Sequence, residues 1–246
     1  MKNCHLSITF AHTFKIYLQY MKIRRVQFDI NYLHILTFRE EYKKAIAPFF
    51  GLEGLKYAID NEGTQNESFR YILPNENIII LLRKEGISLV YEGDADDLKK
   101  QNGVMKIFWD IFELVKNIST YKRGATINIT VHAVDLLQKE EYEDILKKPS
   151  YLRLNPFGTL DDFKCQYNFK KDLKTCRFEF GAFSEKDITT FQLRPFNSEF
   201  TEDLEDGLGL MCIAFISSPE KDPSFNKFKA LLNEVEKLIT SFKYKT

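Results

Sequence analysis

The chain has 246 residues, of which 44% are apolar and 28% are charged, and its 35 basic residues balance its 35 acidic residues. This length allows one large domain or two small ones, and the apolar share is enough for a substantial core. A formal charge of zero excludes a general attraction to nucleic acid or to anionic lipid, although local basic patches stay open.

Residues 1–20 form a separate first segment. They are too polar for the core of a signal peptide and too mixed for a membrane span. Met21 opens a stretch that is typical of a natural start, so we expect residues 1–20 to be an N-terminal arm or an upstream start-site extension. No later window is apolar over the roughly 18 residues that a membrane helix needs. We therefore expect a soluble, cytoplasmic protein without membrane contact.

The first half, residues 21–120, alternates between strand and helix patterns. The five consecutive apolar residues at Ile78–Leu82 predict a strand buried on both faces. Elsewhere apolar residues recur at every second position in the predicted strands and at helical spacing in the predicted helices. In chain order these are a strand at Val26–Leu36, a helix at Phe38–Ala47, a short helical piece at Leu52–Tyr57, strands at Ser68–Leu73, Asn77–Arg83 and Ile87–Glu92, and a helix at Asp97–Ile118.

The second half, residues 121–246, repeats this order and then departs from it. The predicted elements are a strand at Ala125–Val134, a helix at Leu137–Leu146, strands at Asp162–Phe169, Thr175–Phe183 and Asp187–Leu193, an acidic loop at Phe196–Gly209, an added strand at Leu210–Ser217 and a helix at Asp222–Phe242. The acidic loop and the added strand have no predicted counterpart in the first half.

One short sequence marks the register of this repeat. Glu40-Glu41-Tyr42 and Glu140-Glu141-Tyr142 each lie in a short helix after an alternating strand. We expect an α+β fold in which two similar β-α-β-β-β-α halves form one extended antiparallel sheet, with two long helices packed on one face and a pseudo-twofold relation between the halves. The alternative is two unrelated α+β pieces, since such pieces often look alike.

No motif for catalysis, metal binding or a cofactor stands out, so we expect no cofactor and no metal site. The four cysteines form no C-x-x-C pair, and the histidines His5, His12, His34 and His132 lack a second ligand at strand or helix spacing. Acidic clusters lie at predicted helix ends and on surface helices, where solvated charge is usual. A dispersed active site stays open as an alternative.

Basic residues precede the first strand of each half. Arg24 and Arg25 occupy this position in the first half, and Lys122 and Arg123 occupy it in the second. If the halves are related by a pseudo-twofold, these four side chains could lie close together and bind phosphate. Solvated strand ends are the simpler interpretation, because the chain as a whole is neutral.

The helix predicted at Asp97–Ile118 is apolar on nearly every face. Its apolar centre consists of Ile107, Phe108, Trp109, Ile111 and Phe112. Such a helix is either deeply buried in the core or keeps an apolar strip for a partner, since obligate interfaces resemble a core cut in half. A second copy of the chain or another protein could then cover that strip.

The start of the second half resembles a known family. Lys122-Arg123-Gly124-Ala125-Thr126-Ile127-Asn128 is similar to a stretch in a sporadically distributed family of uncharacterised bacterial proteins of similar length, which have two similar α+β halves. That family often carries Arg-(apolar)-Gly-x-Arg-Tyr-x-Asn here. This chain keeps Arg123, Gly124 and Asn128 with different spacing and lacks the Arg-Tyr pair. The resemblance implies an architecture and a bacterial accessory gene, and no reaction.

The leading hypothesis is a non-enzymatic interaction or assembly protein that works with a protein partner or as a homo-oligomer. From the resemblance, we expect an accessory component of a bacterial multi-gene system, for which defence and mobile-element systems are candidates. A nucleic-acid-binding module that uses the basic strand ends is the first alternative. A metal-dependent hydrolase is the second, since such enzymes need carboxylates that converge from separate strands.

Overall fold

The structure is a computed structural model that describes residues 21–33, 35–38, 41–42, 44, 47, 56–73, 77–101, 103–118, 121–122, 125–147, 164–183 and 208–241. The expectations for residues 1–20, for the strand at Asp187–Leu193 and for most of the acidic loop lie outside these residues. Within them, the chain has the α+β class expected from its sequence.

The described strands form one nine-stranded sheet, and every pairing in it is antiparallel. Alternating apolar residues explain most of them, because one side of each strand faces the core. The strands are β1 (Lys22–Asn31), β2 (Lys56–Asp60), β3 (Ser68–Leu73), β4 (Ile78–Arg83), β5 (Gly86–Tyr91), β6 (Ala125–Leu137), β7 (Lys164–Lys171), β8 (Lys174–Phe183) and β9 (Leu208–Glu220).

The strand order is β2-β3-β4-β5-β1-β6-β9-β8-β7. β1 and β6 are the central pair, and each continues outward through strands that come later in its own half of the chain. β2 and β7 are therefore the two edges. Two-residue turns join β4 to β5 and β7 to β8, and Asp172 in the second turn has a φ of 54°. Aspartate is among the few residue types that adopt this left-handed conformation readily.

The register of the central pair is interrupted once. Ile30 lies opposite Ile127 and Val26 opposite Val131, but the register shifts between Ile23 and Arg25. Arg24 is thus the extra residue of a β-bulge, which increases the local twist and alters the direction of neighbouring side chains. Beyond it, the start of β1 lies against the end of β6.

Three α-helices accompany the sheet in the described residues: α1 (Val104–Lys116), α2 (Lys139–Lys147) and α3 (Phe225–Ser241). Phe28 of β1 is fully buried and contacts Phe108 and Trp109 of α1, with ring centroids 5.7 and 6.1 Å away. The ring centroid of Phe228 on α3 lies 4.7 Å from that of Phe28. We call the side of the sheet that carries Phe28 the core face and the other side the opposite face.

Two differences from the sequence predictions concern strands. Lys56–Asp60 is strand β2, which adds an edge strand to the first half. Of the helical piece expected at Leu52–Tyr57, only the last two residues are described, and both belong to β2. The strand expected to be an addition at Leu210–Ser217 is β9, which is longer and pairs with both β6 and β8. β9 therefore takes the position beside β6 that β5 takes beside β1.

The apolar run in β4 is buried less completely than expected. Ile78, Ile80 and Leu82 are fully buried on the core face, whereas Ile79 and Leu81 are only half-buried on the opposite face. The expectation of a strand buried on both faces is therefore wrong for the described residues. None of the described helices is both long and apolar enough to cross a membrane.

Candidate functional site

A row of polar side chains crosses the opposite face near the start of β1. The row runs across four neighbouring strands and consists of Arg25 on β1, His132 on β6, Ile213 on β9 and Glu179 on β8. Each of these residues is the register partner of the next. Strand alternation places these four side chains on one face of the sheet. Because His132 and Glu179 are buried polar residues, this row is a candidate for a chemical site.

Arg25 forms a largely buried ion pair with Glu92, which follows β5. Its Nε donates to Glu92 Oε1 at 2.9 Å, and its Nη2 donates to the same oxygen. The side chains of Arg25 and Glu92 are 13% and 3% exposed. Because charge is costly to bury, each group depends on the other, and the pair links β1 to the end of β5.

His132 is held in its neutral form. Burial, together with the positive charge of Arg25, lowers the pKa of its imidazole to about 4. Its Nδ1 is buried and makes no hydrogen bond to any described residue. Such a weak base has little proton affinity at neutral pH, so this histidine is poorly suited to general base catalysis.

At the far end of the row, Glu179 forms one ion pair with the neighbouring strand β7 and one within its own strand β8. Glu179 pairs with Lys164 of β7 at 2.5 Å and with Arg177 at 3.1 Å. Among the described residues, no group of three or more His, Cys, Asp or Glu side chains could hold a metal ion. We interpret the row as a structural element of the sheet, because each described acid in it is neutralised by a neighbouring base.

Three of the four basic residues predicted to bind phosphate are described by the structure, and Lys122 lies far from Arg24 and Arg25. β1 and β6 run antiparallel, so Arg24 and Arg25 lie at the end of the pair where β6 finishes. Lys122 lies before β6 begins, at the other end, and about 20 Å or more of strand separates it from Arg25. The expectation of one shared surface is wrong for these three residues, and Arg123 lies outside the described residues.

The apolar centre of the α1 sequence is packed mainly inside this chain. Phe108, Ile111 and Phe112 are fully buried and Trp109 is 8% exposed, which leaves Ile107 as the half-buried member. These side chains contact one another and the core face of the sheet. These side chains are therefore part of the hydrophobic core and offer little surface to a partner.

The most exposed strand among the described elements is β7 at the edge of the sheet. It is eight residues long, and every residue except Cys165 is exposed. Tyr167 and Phe169 are 48% and 38% exposed, and Leu173 in the following turn is 82% exposed. Within the described part of the chain, β7 pairs only with β8, so its outer backbone groups have no partner strand.

The β7–β8 hairpin also concentrates positive charge. It contains the acids Asp172 and Glu179 and five basic residues, which are Lys164, Lys170, Lys171, Lys174 and Arg177. Lys171 and Lys174 bind Glu234 of α3. Arg177 lies 5.5 Å from the ring of Phe215 on the opposite face.

The side chains of β7 are divided between the two faces. Register places Tyr167 opposite Phe178 and Phe169 opposite Cys176, which puts both rings on the core face at its outer margin. Lys164 and Lys170 pair with Gly181 and Thr175, on the opposite face. This strand was not predicted to be an edge from the sequence. The signal was an alternating strand with lysine at both ends, which is typical of edges.

No protein-family model matches the chain, and no curated protein matches its sequence. The family resemblance inferred from Arg123, Gly124 and Asn128 therefore stays a prediction.

Proposed function

We propose that this chain is a non-enzymatic interaction and assembly protein that docks a partner on the edge strand β7. The observation that carries the proposal is an eight-residue edge strand with almost every residue exposed, next to large exposed apolar side chains. An unpaired edge offers a row of backbone donors and acceptors to another strand. Exposed aromatic rings add area that a partner can bury.

The other edge of the sheet differs in ways that favour β7. β2 has only five residues, and its last residue, Asp60, forms an ion pair with Arg70 of β3. Short strands with charged ends are poor templates for pairing. Tyr57 of β2 is as exposed as Tyr167 of β7, at 57% against 48%. That similarity makes Tyr57 a matched control for Tyr167.

We also propose that the chain consists of two related β-α-β-β-β-α halves with a pseudo-twofold between β1 and β6, and with both long helices on the core face. The antiparallel pairing of β1 with β6 supports the proposal, as do the equivalent positions of β5 and β9 beside them. Contacts of Phe28 with both α1 and α3 support the shared helical face. In this arrangement β2 is the addition, and β7 corresponds to β3.

The proposed function is tested by mass in solution and by co-purification. The tagged chain is compared with Tyr167→Ser on β7 and Tyr57→Ser on β2, all at micromolar concentration. We expect wild type and Tyr57→Ser to form the same assembly or retain the same partner, and Tyr167→Ser to lose it. A monomer that retains nothing, or an assembly that Tyr167→Ser leaves intact, would contradict the proposal.

Nucleic-acid binding is the second candidate, and the five basic residues of the β7–β8 hairpin are the observation that favours it. Binding through phosphate contacts must weaken steeply with salt. Lys170→Ala should reduce the affinity for a single-stranded oligonucleotide at low salt, whereas Lys56→Ala on β2 should not. No binding at low salt would exclude this function.

A further inference from the structure

We infer that β7 accepts an extended peptide of alternating apolar and acidic residues, added to the sheet as a tenth strand. This inference rests on the proposed function and specifies the chemistry of the partner. An added strand makes backbone hydrogen bonds to the edge, and its side chains point alternately to the two faces. The side chains of β7 therefore determine which residues fit on each face.

The core-face side of the edge selects apolar residues. Tyr167 and Phe169 lie next to each other on that side, and each is more than one-third exposed. An apolar or β-branched residue opposite each ring would bury this surface, since such cross-strand pairs stabilise sheets. Lys171 and Lys174 lie at the far end of the same side, where Glu234 already offsets part of their charge.

The opposite side of the edge selects acidic residues. Lys164, Lys170 and Arg177 lie on it, and the described acid Glu179 pairs with Lys164 and Arg177. Lys170 has no ion pair among the described residues. Acidic side chains at alternate positions of the peptide would meet this excess of positive charge, and opposite charges across a strand pair are stabilising.

A second copy of the chain fits this edge less well than an acidic peptide. Symmetric antiparallel pairing of β7 with its own copy, centred on Tyr167, would place Lys164 opposite Lys170. Like charges directly opposite each other destabilise a strand pair, and natural edges use lysine in this way to prevent self-association. The same lysines would attract a strand of opposite charge.

A nucleic acid also fits the hairpin less well. Single-stranded nucleic acids need cations and aromatic rings on one shared surface, so that phosphates and bases bind together. Here Tyr167 and Phe169 lie on the core face, whereas Lys164 and Lys170 lie on the opposite face. An added strand reaches both sides of the sheet at once, but a polynucleotide chain on one face does not.

The test uses the full chain and four probes in a fluorescence anisotropy titration. The first probe is a capped eight-residue peptide with glutamate at odd positions and valine or threonine at even positions. The second has the same composition with all glutamates in one block. The third replaces glutamate with lysine, and the fourth is a single-stranded oligothymidine. We expect measurable binding of the first probe only, weakened by added salt.

Variants locate the bound peptide. Tyr167→Ser and Lys170→Glu should each weaken binding of the alternating acidic peptide by about fivefold or more, whereas Tyr57→Ser should change it less than about twofold. Circular dichroism of each variant verifies that it is folded. Equal binding of the block peptide, or equal effects of Tyr167→Ser and Tyr57→Ser, would overturn strand addition at β7.

The remaining outcomes separate this inference from the proposed function. If only the oligonucleotide binds, the inference fails and nucleic-acid binding replaces it. If no probe binds but the chain forms an assembly that Tyr167→Ser disrupts, the peptide chemistry is wrong and the interaction function stands. If no probe binds and Tyr167→Ser changes no assembly or partner, both proposals fail.

Discussion

Arg25 lies directly across the β1–β6 ladder from His132, and its guanidinium binds Glu92 on the other side. One cation thus connects the three central strands on the opposite face. It forms an ion pair with Glu92 and disfavours protonation of His132.

His132 should make the protein less stable as the pH falls from 7 to 5. Burial, with a further contribution from Arg25, lowers the pKa of its imidazole to about 4 in the folded state, against 6.5 for the unfolded chain. Between these values the unfolded state binds the extra proton. The stabilisation is complete above pH 6.5 and should decrease by about 2 kcal/mol on going from pH 7 to pH 5.

The measurement is urea unfolding at several pH values for wild type and for His132→Gln. The variant cannot titrate at this position, so its free energy of unfolding should change less between pH 7 and pH 5. Its absolute stability is not the criterion, because glutamine also alters the packing. Parallel pH profiles for the two proteins would show that His132 is not buried as a neutral group.

Glu92→Gln should be strongly destabilising. The substitution removes the negative charge that compensates Arg25 in a pair whose side chains are 13% and 3% exposed. Breaking one partner of a buried pair typically costs about 3–5 kcal/mol. The matched control is Asp60→Asn, which breaks the Arg70–Asp60 pair at 40% and 31% exposure and should cost less than about 1 kcal/mol. Similar losses in the two variants would contradict the burial of the Arg25–Glu92 pair.

Phe108→Ala should destabilise the isolated chain by about 3–5 kcal/mol, because it leaves a cavity in the core. Phe108 is fully buried, with its ring 5.7 Å from that of Phe28 and 5.4 Å from that of Trp109. Phe169→Ala on β7 is the control and should cost less than about 1 kcal/mol, since that ring is partly exposed. If Phe108→Ala left stability unchanged but disrupted an assembly, α1 would be a partner face after all.

Thiol reactivity should follow the position of each cysteine in the sheet. Burial raises the pKa of the Cys212 thiol on β9, which has no exposed surface, whereas Cys165 on the edge strand is half-buried. In a Cys4→Ser background, a thiol reagent should therefore modify Cys165 well before Cys212. Peptide mapping by mass spectrometry at short times gives the order. Faster modification of Cys212 would contradict its central position.

The sequence contained enough information for the fold class and for the strands from Ser68 to Tyr91. Turn residues bound these strands at Pro74-Asn75 and Lys84-Glu85-Gly86, and apolar residues fill the runs between them. β2 was missed because Leu52–Tyr57 also has helical spacing, and a short edge strand has little apolar surface to mark it. The place of β9 beside β6 depends on pairing between distant segments, which residue patterns alone do not specify.

The positions of the predicted site residues also depend on how distant segments pair. Arg25 and Lys122 occupy equivalent places in the sequence of the two halves, but the starts of two antiparallel strands lie at opposite ends of the pair. Phe108 and its neighbours are apolar on several sides because they contact both Phe28 of the sheet and one another. The edge position of β7 depends on the strand order of the whole sheet, which residue patterns alone do not specify. The sequence alone therefore did not show that the rings of Tyr167 and Phe169 lie at an edge.

The central claim is that β7 is the docking strand, and hydrogen–deuterium exchange tests it most directly. Exchange is followed in the full chain with and without a saturating concentration of the alternating acidic peptide. An added strand should slow the exchange of amides in Lys164–Lys171 and leave those of Lys56–Asp60 unchanged. Bound peptide with no new protection in Lys164–Lys171, or with protection confined to Lys56–Asp60, would contradict the account.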